Sequence, residues 1–220
     1  MFDAVAPTYE LVNTLTSFGR DAYWRRRAVE LARISAKDRV LDVACGTGNL
    51  ARAFTAARPK PATVVGTDFS RGMLGLTPGS PNGRIRYCQA DALLLPFADR
   101  EFTVASCAFG IRNFENLAAG LAQMHRVLAP GGRVVILEFS LPSLPIVNHA
   151  FIFYFKTILP WFASLISRDQ TGAYRYLPRS VLGFENRQQI VEQLERVGFA
   201  QVEVHPLTFG IAVVYLATKP

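Results

Sequence analysis

Asp42, Asp68 and Asp91 are the side chains of this sequence best placed to do chemistry. Each stands at or just past the end of a short, largely apolar segment: Arg39 to Val43, Thr63 to Asp68 and Arg84 to Cys88. Segments of that length and character read as buried parallel strands. After the first segment comes Ala44-Cys45-Gly46-Thr47-Gly48, and then Ala51-Arg52-Ala53-Phe54, which forms helix readily. Gly46 and Gly48 permit positive φ and let a ligand approach the backbone, and a new helix offers it free N–H groups. The turn lacks the third glycine of a dinucleotide fingerprint and the Gly-Lys-Ser/Thr of a phosphate loop. An acid just before the turn repels a pyrophosphate and suits a cationic or amino-bearing ligand. Asp68 can take both hydroxyls of a ribose. Three strand-end acids around one glycine turn point to an S-adenosylmethionine site.

A second group of residues follows the apolar run Phe102 to Phe109, which ends at Gly110-Ile111-Arg112-Asn113. In an open α/β sheet the carboxyl ends of strands meet the ligand, so Arg112 and Asn113 stand where a reaction would occur. Another place for Arg112 is a salt bridge to a neighbouring acid. Met73 and Leu74, in a short helix after Asp68, pack either on an adenine face or on the sheet. Cys45 reads as a small residue filling a tight turn, and His125 as a structural or surface histidine. The cysteines, Cys45, Cys88 and Cys107, form no Cys-x-x-Cys pair. Neither a metal site nor a disulfide framework is expected, and a reducing cytosol fits.

The elements that must position these groups follow from the rest of the pattern. At 220 residues, 50% hydrophobic and 19% charged, the chain suits one α/β domain spanning 1–220. Residues 1–35 read as a helical lid, with a helix from Trp24 to Ala32. Further strands are expected over Arg133 to Phe139, Val202 to Val204 and Gly210 to Thr218, with a helix from Asn186 to Val197. Pro130-Gly131-Gly132 is expected to stop the helix carrying Leu117, Leu121, Met124 and Leu128. Residues 140–184 depart from strand–helix alternation and read as an inserted apolar cap. Leu144 to Ile166 is rich in aromatics, yet Pro145, Pro160, Asn148, His149 and Lys156 leave no run long enough to span a membrane. The start, Met1-Phe2-Asp3-Ala4, is not that of a signal peptide. A net charge of +7 admits an acidic partner. The basic residues are dispersed, apart from Arg25-Arg26-Arg27, with no interleaved aromatics, which favours a membrane surface over nucleic acid. The arginine triplet reads as a solvated face or as a contact to lipid headgroups. The expected architecture is a Rossmann-like, doubly wound, seven-stranded, mostly parallel sheet with an antiparallel C-terminal strand.

Several further stretches carry a resemblance. They include Tyr9-Glu10-x-Val12-Asn13, Trp24-Arg25-Arg26, Leu41-Asp42-Val43-Ala44-Cys45-Gly46-Thr47-Gly48 and Ala90-Asp91-Ala92 with Leu95-Pro96-Phe97. Phe109-Gly110-Ile111-Arg112-Asn113, Leu137-Glu138-Phe139-Ser140, Tyr174-Arg175-Tyr176-Leu177 and Leu207-Thr208-x-Gly210 follow. Almost end to end, the chain resembles the ubiquinone/menaquinone biosynthesis C-methyltransferases of the UbiE type, within the class I methyltransferases. It departs from their pattern at Glu10, Asp21 and Asn49. The resemblance implies that Asp42, Gly46, Thr47, Gly48, Asp68, Asp91 and Ala92 hold S-adenosylmethionine. Phe69, Met73 and Ala108, the last at a position where some members carry a cofactor-contacting serine, complete the expected set. It implies a prenylated quinol substrate, demethylmenaquinol or 2-polyprenyl-6-methoxybenzoquinol, taken at the inner face of the cell membrane by a cytoplasmic, peripheral enzyme. A homodimer or an assembly of quinone-synthesis enzymes is the implied partner. Another hydrophobic phenol as substrate, or a non-catalytic partner that only binds the cofactor, are the alternatives.

For such a quinol the expected chemistry is activation of a ring carbon by an adjacent phenolate. A phenol titrates near ~10, so its proton must be removed or shared. Arg112 is expected to stabilise the anion or to act through a bound water, and Asn113 to hold the hydroxyl. Tyr9, Tyr154 and His149 are candidates for closing the pocket or relaying the proton.

Overall fold

The structure, a computed structural model, describes Thr14, Ser17 and residues 19–78, 83–158 and 179–220. Strands β1 (Arg39–Val43), β2 (Thr63–Asp68), β3 (Ile85–Gln89), β4 (Phe102–Ala108), β5 (Leu128–Phe139), β6 (Ala200–Leu207) and β7 (Ala212–Thr218) form one sheet in the order 3-2-1-4-5-7-6. β1 to β5 pair in parallel, and β7 runs antiparallel to both β5 and β6. Strand order reverses between β1 and β4, which opens a crevice at their carboxyl ends.

The alternation of side chains explains the layers. On one face Val40, Val64, Val104, Val135 and Leu137 meet helices α1 (Asp21–Leu31) and α2 (Asn49–Ala56) through Trp24, Ala28, Leu50 and Phe54. On the other, Leu41, Val43, Ala105, Val134 and Ile136 meet α4 (Leu117–Val127) and α6 (Arg187–Arg196) through Leu121, Met124, Ile190 and Leu194. Successive strand residues thus serve opposite layers, and apolar residues three or four apart on each helix serve one. Between β2 and β3, α3 is short, Arg71–Gly75, with Ser70 Oγ accepting from Met73 N at 3.1 Å as its N-cap.

Several boundaries differ from the sequence expectation: the first helix starts at Asp21 rather than Trp24, β7 starts at Ala212 rather than Gly210, and the largest differences are in β5 and β6. β5 begins at Leu128, directly after α4, so Pro130-Gly131-Gly132 lies inside the strand. There the register with β4 jumps from Phe102↔Leu128 to Val104↔Arg133, an irregularity that the positive φ of Gly131 accommodates. Backbone bonds from Gly131 N to Lys219 O and from Lys219 N to Gly132 O, both 2.8 Å, tie the irregularity to the end of β7. β6 is also longer than expected. It is an edge strand, so Pro206 costs it no ladder bond it needs.

Beyond β5 come α5 (Pro145–Phe153) and a π-helical turn (Tyr154–Ile158). Phe151 and Phe155 are buried from this segment, their ring centroids 4.3 Å apart, and Phe155 meets Phe139 at 6.0 Å. Arg187 clamps the segment's root: its guanidinium donates to Ser140 Oγ, Ser143 Oγ, Leu141 O and Gly210 O at 2.8 to 3.0 Å. Tyr9, Trp161, Phe162 and the Tyr174–Leu177 stretch lie outside the described residues.

Candidate active site

The glycine turn is built by the backbone. Ala44, Gly46 and Gly48 have φ of +52°, +57° and +81°, and Gly48 is the left-handed N-cap of α2. The left-handed φ favours glycine at position 48, and a Cβ there would also lie 2.3 Å from Tyr87 Oη and displace that ring. Cys45 N donates to Thr67 O at 2.8 Å and Gly46 N to Asp68 Oδ2 at 2.7 Å. Ser70 N donates to Asp68 Oδ1 at 2.8 Å. Backbone donors on both sides thus hold the Asp68 carboxylate in one orientation at the end of β2.

Asp42 is fully buried on β1. Its register partner on β4 is Ser106, whose Oγ donates to Asp42 Oδ1 at 2.8 Å. Oδ2 has no hydrogen-bond partner among the described residues. Burial pushes this carboxyl from 3.8 up to about 7; Ser106, the Ala51 N–H and the charge of Arg25 pull it down, and Asp68 pushes it further up. A buried, half-satisfied acid is costly to keep. It faces a narrow cleft of about 20 Å³ lined also by Arg25, Gly46, Thr47 and Asn49.

A cavity of about 300 Å³ opens at the carboxyl ends of β1, β2 and β4. Of the expected cofactor residues, Gly46, Asp68, Phe69, Met73, Asp91, Ala92 and Ala108 line it. Asp42 and Thr47 line the narrow cleft, which shares Ala44, Gly46, Ala108 and Phe109 with the cavity. Gly48 lines neither; it shapes the turn. Met73 is buried and Phe69 is 73% exposed at the rim. Asp91 lies two residues past the end of β3, in an isolated bridge to Leu94, where its Oδ1 accepts from Leu93 N at 2.8 Å.

Asn113 lines the cavity, whereas Arg112 does not. The two sit in one 3₁₀ turn, Ile111–Asn113, where successive side chains point about 120° apart. Arg112 turns inward, with a side chain only 5% exposed. Its Nη1 donates to Glu138 Oε1 at 2.7 Å and to Phe109 O at 2.6 Å. Phe139 N also donates to Glu138 Oε1, at 2.9 Å, and the Arg112 guanidinium lies 5.6 Å from the Phe139 ring centroid. Burial raises the Glu138 carboxyl, against the pull of Arg112. The salt bridge to a neighbouring acid is therefore present, while Arg112 Nε is buried with no hydrogen-bond partner among the described residues. Through Phe109 O the pair fixes a residue of the cavity wall that has a strained φ of +57°.

Gly110 closes the site from the β4 side. A Cβ there would meet Cys107 Sγ at 2.6 Å and Ala44 Cβ at 2.7 Å, so the turns after β1 and β4 touch with no side chain between them. Of the candidate proton relays, Tyr9 lies outside the described residues. Tyr154 is half-buried, its phenol raised by burial. His149 is exposed on α5, with Nδ1 2.7 Å from Pro145 O. His125 packs edge-on against Phe199 at 4.9 Å, and burial lowers its pKa, as a structural histidine's would. Burial pushes the Cys45 and Cys107 thiols up, away from thiolate reactivity.

Sequence reasoning missed several contributors. Ser106 and Glu138 each interrupt an apolar strand, and that interruption was the available signal for a buried polar partner. Leu93, Phe114 and Glu115 also line the cavity, and no local pattern marks them.

Comparison with known proteins gives the family. The ubiE/COQ5 methyltransferase family model matches residues 1–219. A demethylmenaquinone methyltransferase of Thermus thermophilus is 43% identical over 223 residues, covering 100% of both chains. A ubiquinone/menaquinone biosynthesis C-methyltransferase UbiE of Geotalea daltonii is 43% identical over 224 residues, covering 100% of this chain and 94% of that one. Among solved structures, phosphoethanolamine N-methyltransferase 2 of Haemonchus contortus, in complex with S-adenosyl-L-methionine, superimposes with a TM-score of 0.63 at 19% identity. That match covers 89% of this chain and 52% of that one, and shows the shared fold. This chain belongs to the ubiE/COQ5 methyltransferase family.

Proposed function

We propose that this chain transfers a methyl group from S-adenosylmethionine to a ring carbon of a prenylated quinol in menaquinone or ubiquinone biosynthesis. One observation carries the reading: a single cavity joins a carboxylate fixed for a diol, Asp68, to an apolar wall and the reaction-side Asn113. The residues present fit the cofactor. The unpartnered Oδ2 of Asp42 suits its ammonium, Asp68 its ribose, and Met73 with Phe69 the faces of its adenine. When bound, the cofactor supplies an electrophilic methyl group on a sulfonium.

The chain's own residues do the rest. Phe109 and Phe114 keep the reacting end apolar, which favours a step that disperses charge. Asn113 and Glu115 are the polar groups on the substrate side that meet a ring hydroxyl and share its proton. Arg112 and Glu138 are positioning residues: they hold the turn that presents Phe109 and Asn113. In this reading residues 1–35 are the lid and residues 140–184 the cap over the isoprenoid.

Access to a lipid substrate is by peripheral contact with the membrane's inner face. Ile146 and Phe153 of α5 are 86% and 60% exposed, and the net charge of +7 favours an anionic surface. Among the described residues no helix is long and apolar enough to cross a membrane.

The test is methyl transfer from isotope-labelled cofactor to detergent-solubilised demethylmenaquinol, to 2-polyprenyl-6-methoxybenzoquinol and to a soluble phenol. Label on the ring carbon of a prenylated quinol is expected. Equal methylation of the soluble phenol, label on oxygen, or cofactor binding without turnover would each refute the reading.

A further inference from the structure

The arginine triplet does not form one face. Arg26 is exposed and Arg27 pairs with Glu30, but Arg25 is buried. A helix turns about 100° per residue, so Arg25 follows Trp24 onto the inner side of α1. Trp24 pins that helix, with Nε1 donating to Thr208 Oγ1 at 2.8 Å and its ring against Phe109 and Phe139. Asp21, one turn earlier, orients the Arg25 guanidinium by accepting from Nη1 at 2.6 Å. Asp21 is itself engaged by Ser17 Oγ at 3.2 Å.

A guanidinium has five N–H donors in a fixed fork, and Asp21 is the only hydrogen-bond partner of this one among the described residues. It lines the narrow cleft facing Asp42, yet it is not within salt-bridge distance of that carboxyl. The cleft is small, about 20 Å³, and it shares Ala44, Gly46, Ala108 and Phe109 with the larger cavity, so it admits the charged end of a ligand whose rings stay in the cavity. One side offers the orphan carboxyl oxygen of Asp42, fully buried and aimed inward. The other side offers Arg25, with the N-terminus of α2 beside it.

We propose that Arg25 receives the carboxylate of the cofactor's amino-acid end, so that the cleft selects a zwitterion. This rests on the reading of the cofactor given above. It adds a source of selectivity: nucleosides without a carboxylate are rejected by an arginine left facing an empty position, while the adenosine contacts stay the same.

Isothermal titration calorimetry compares three ligands on the full chain. S-Adenosylmethionine has both charged groups on its amino-acid end, its decarboxylated form keeps only the ammonium, and 5′-methylthioadenosine has neither. A charge-assisted hydrogen bond implies that wild type prefers the intact cofactor over the decarboxylated form by about tenfold to a hundredfold. Arg25→Gln is expected to erase that preference, while affinity for 5′-methylthioadenosine stays at the wild-type value and reports a folded site. Arg25→Lys is expected to retain part of the preference, since it keeps the charge but loses the fork. Equal wild-type affinity for the first two ligands, or an Arg25→Gln protein that keeps the full preference, overturns the proposal without touching the cofactor reading. If wild type binds none of the three, both fall together.

Discussion

Asp42→Asn is expected to stabilise the unliganded protein at alkaline pH, because wild type carries a carboxyl that is hard to ionise where it stands. Burial lifts this group from 3.8 to about 7. Between those values the folded chain keeps a proton that the unfolded chain has released. Stability attributable to Asp42 therefore falls as pH rises from about 4 to about 7, and is level above that. The shift corresponds to roughly 4 kcal/mol in full, an upper bound because a water in the cleft would solvate part of the charge. Asparagine has the same shape and no charge to bury. The assay is urea unfolding of both proteins at several pH values from 5 to 8, read as the difference between them. Taking the difference cancels every titration the two proteins share. The variant's advantage should grow by up to about 1.4 kcal/mol per pH unit towards pH 7 and then level off. A difference independent of pH, or a wild type that is the more stable protein at pH 8, would refute the reasoning. The residue would be retained, on this view, for its ligand rather than for the fold.

Three further outcomes follow from the geometry. Glu138→Ala leaves the buried Arg112 guanidinium without its counter-charge and should cost about 3–5 kcal/mol in denaturant unfolding, whereas Glu138→Gln, which keeps an acceptor, should cost less. Gly110→Ala drives a methyl group into Ala44 and Cys107, and should cost about 1–3 kcal/mol along with a measurable loss of cofactor affinity by calorimetry. Paired Ile146→Ser and Phe153→Ser changes should reduce co-sedimentation with vesicles containing anionic lipid while leaving cofactor binding at its wild-type value; unchanged sedimentation would remove α5 from the membrane contact.

Local pattern was enough for much of this protein. The strand Thr63–Asp68 and the glycine turn lie where alternation and turn chemistry put them, because those signals act between near neighbours in the chain. The same holds for α6, whose Asn186 and Gln189 form a reciprocal capping box visible as spacing alone. The family signatures told where the important turns are. They could not tell which way each side chain in a turn faces.

That was settled by tertiary structure. Arg112 and Asn113 are adjacent in sequence, and only the packed sheet sends one into the core and the other to the cavity. Glu138 is 26 residues from Arg112, and it becomes a partner because β5 lies beside β4. Asp42 gains Ser106 through the register of β1 with β4, a pairing of residues 64 apart. Arg25 belongs to an unremarkable basic triplet until helical phase and the anchoring of Trp24 turn it towards Asp42. Spacing along a chain specifies local conformation, whereas the charge environment of a site depends on which distant strands become neighbours.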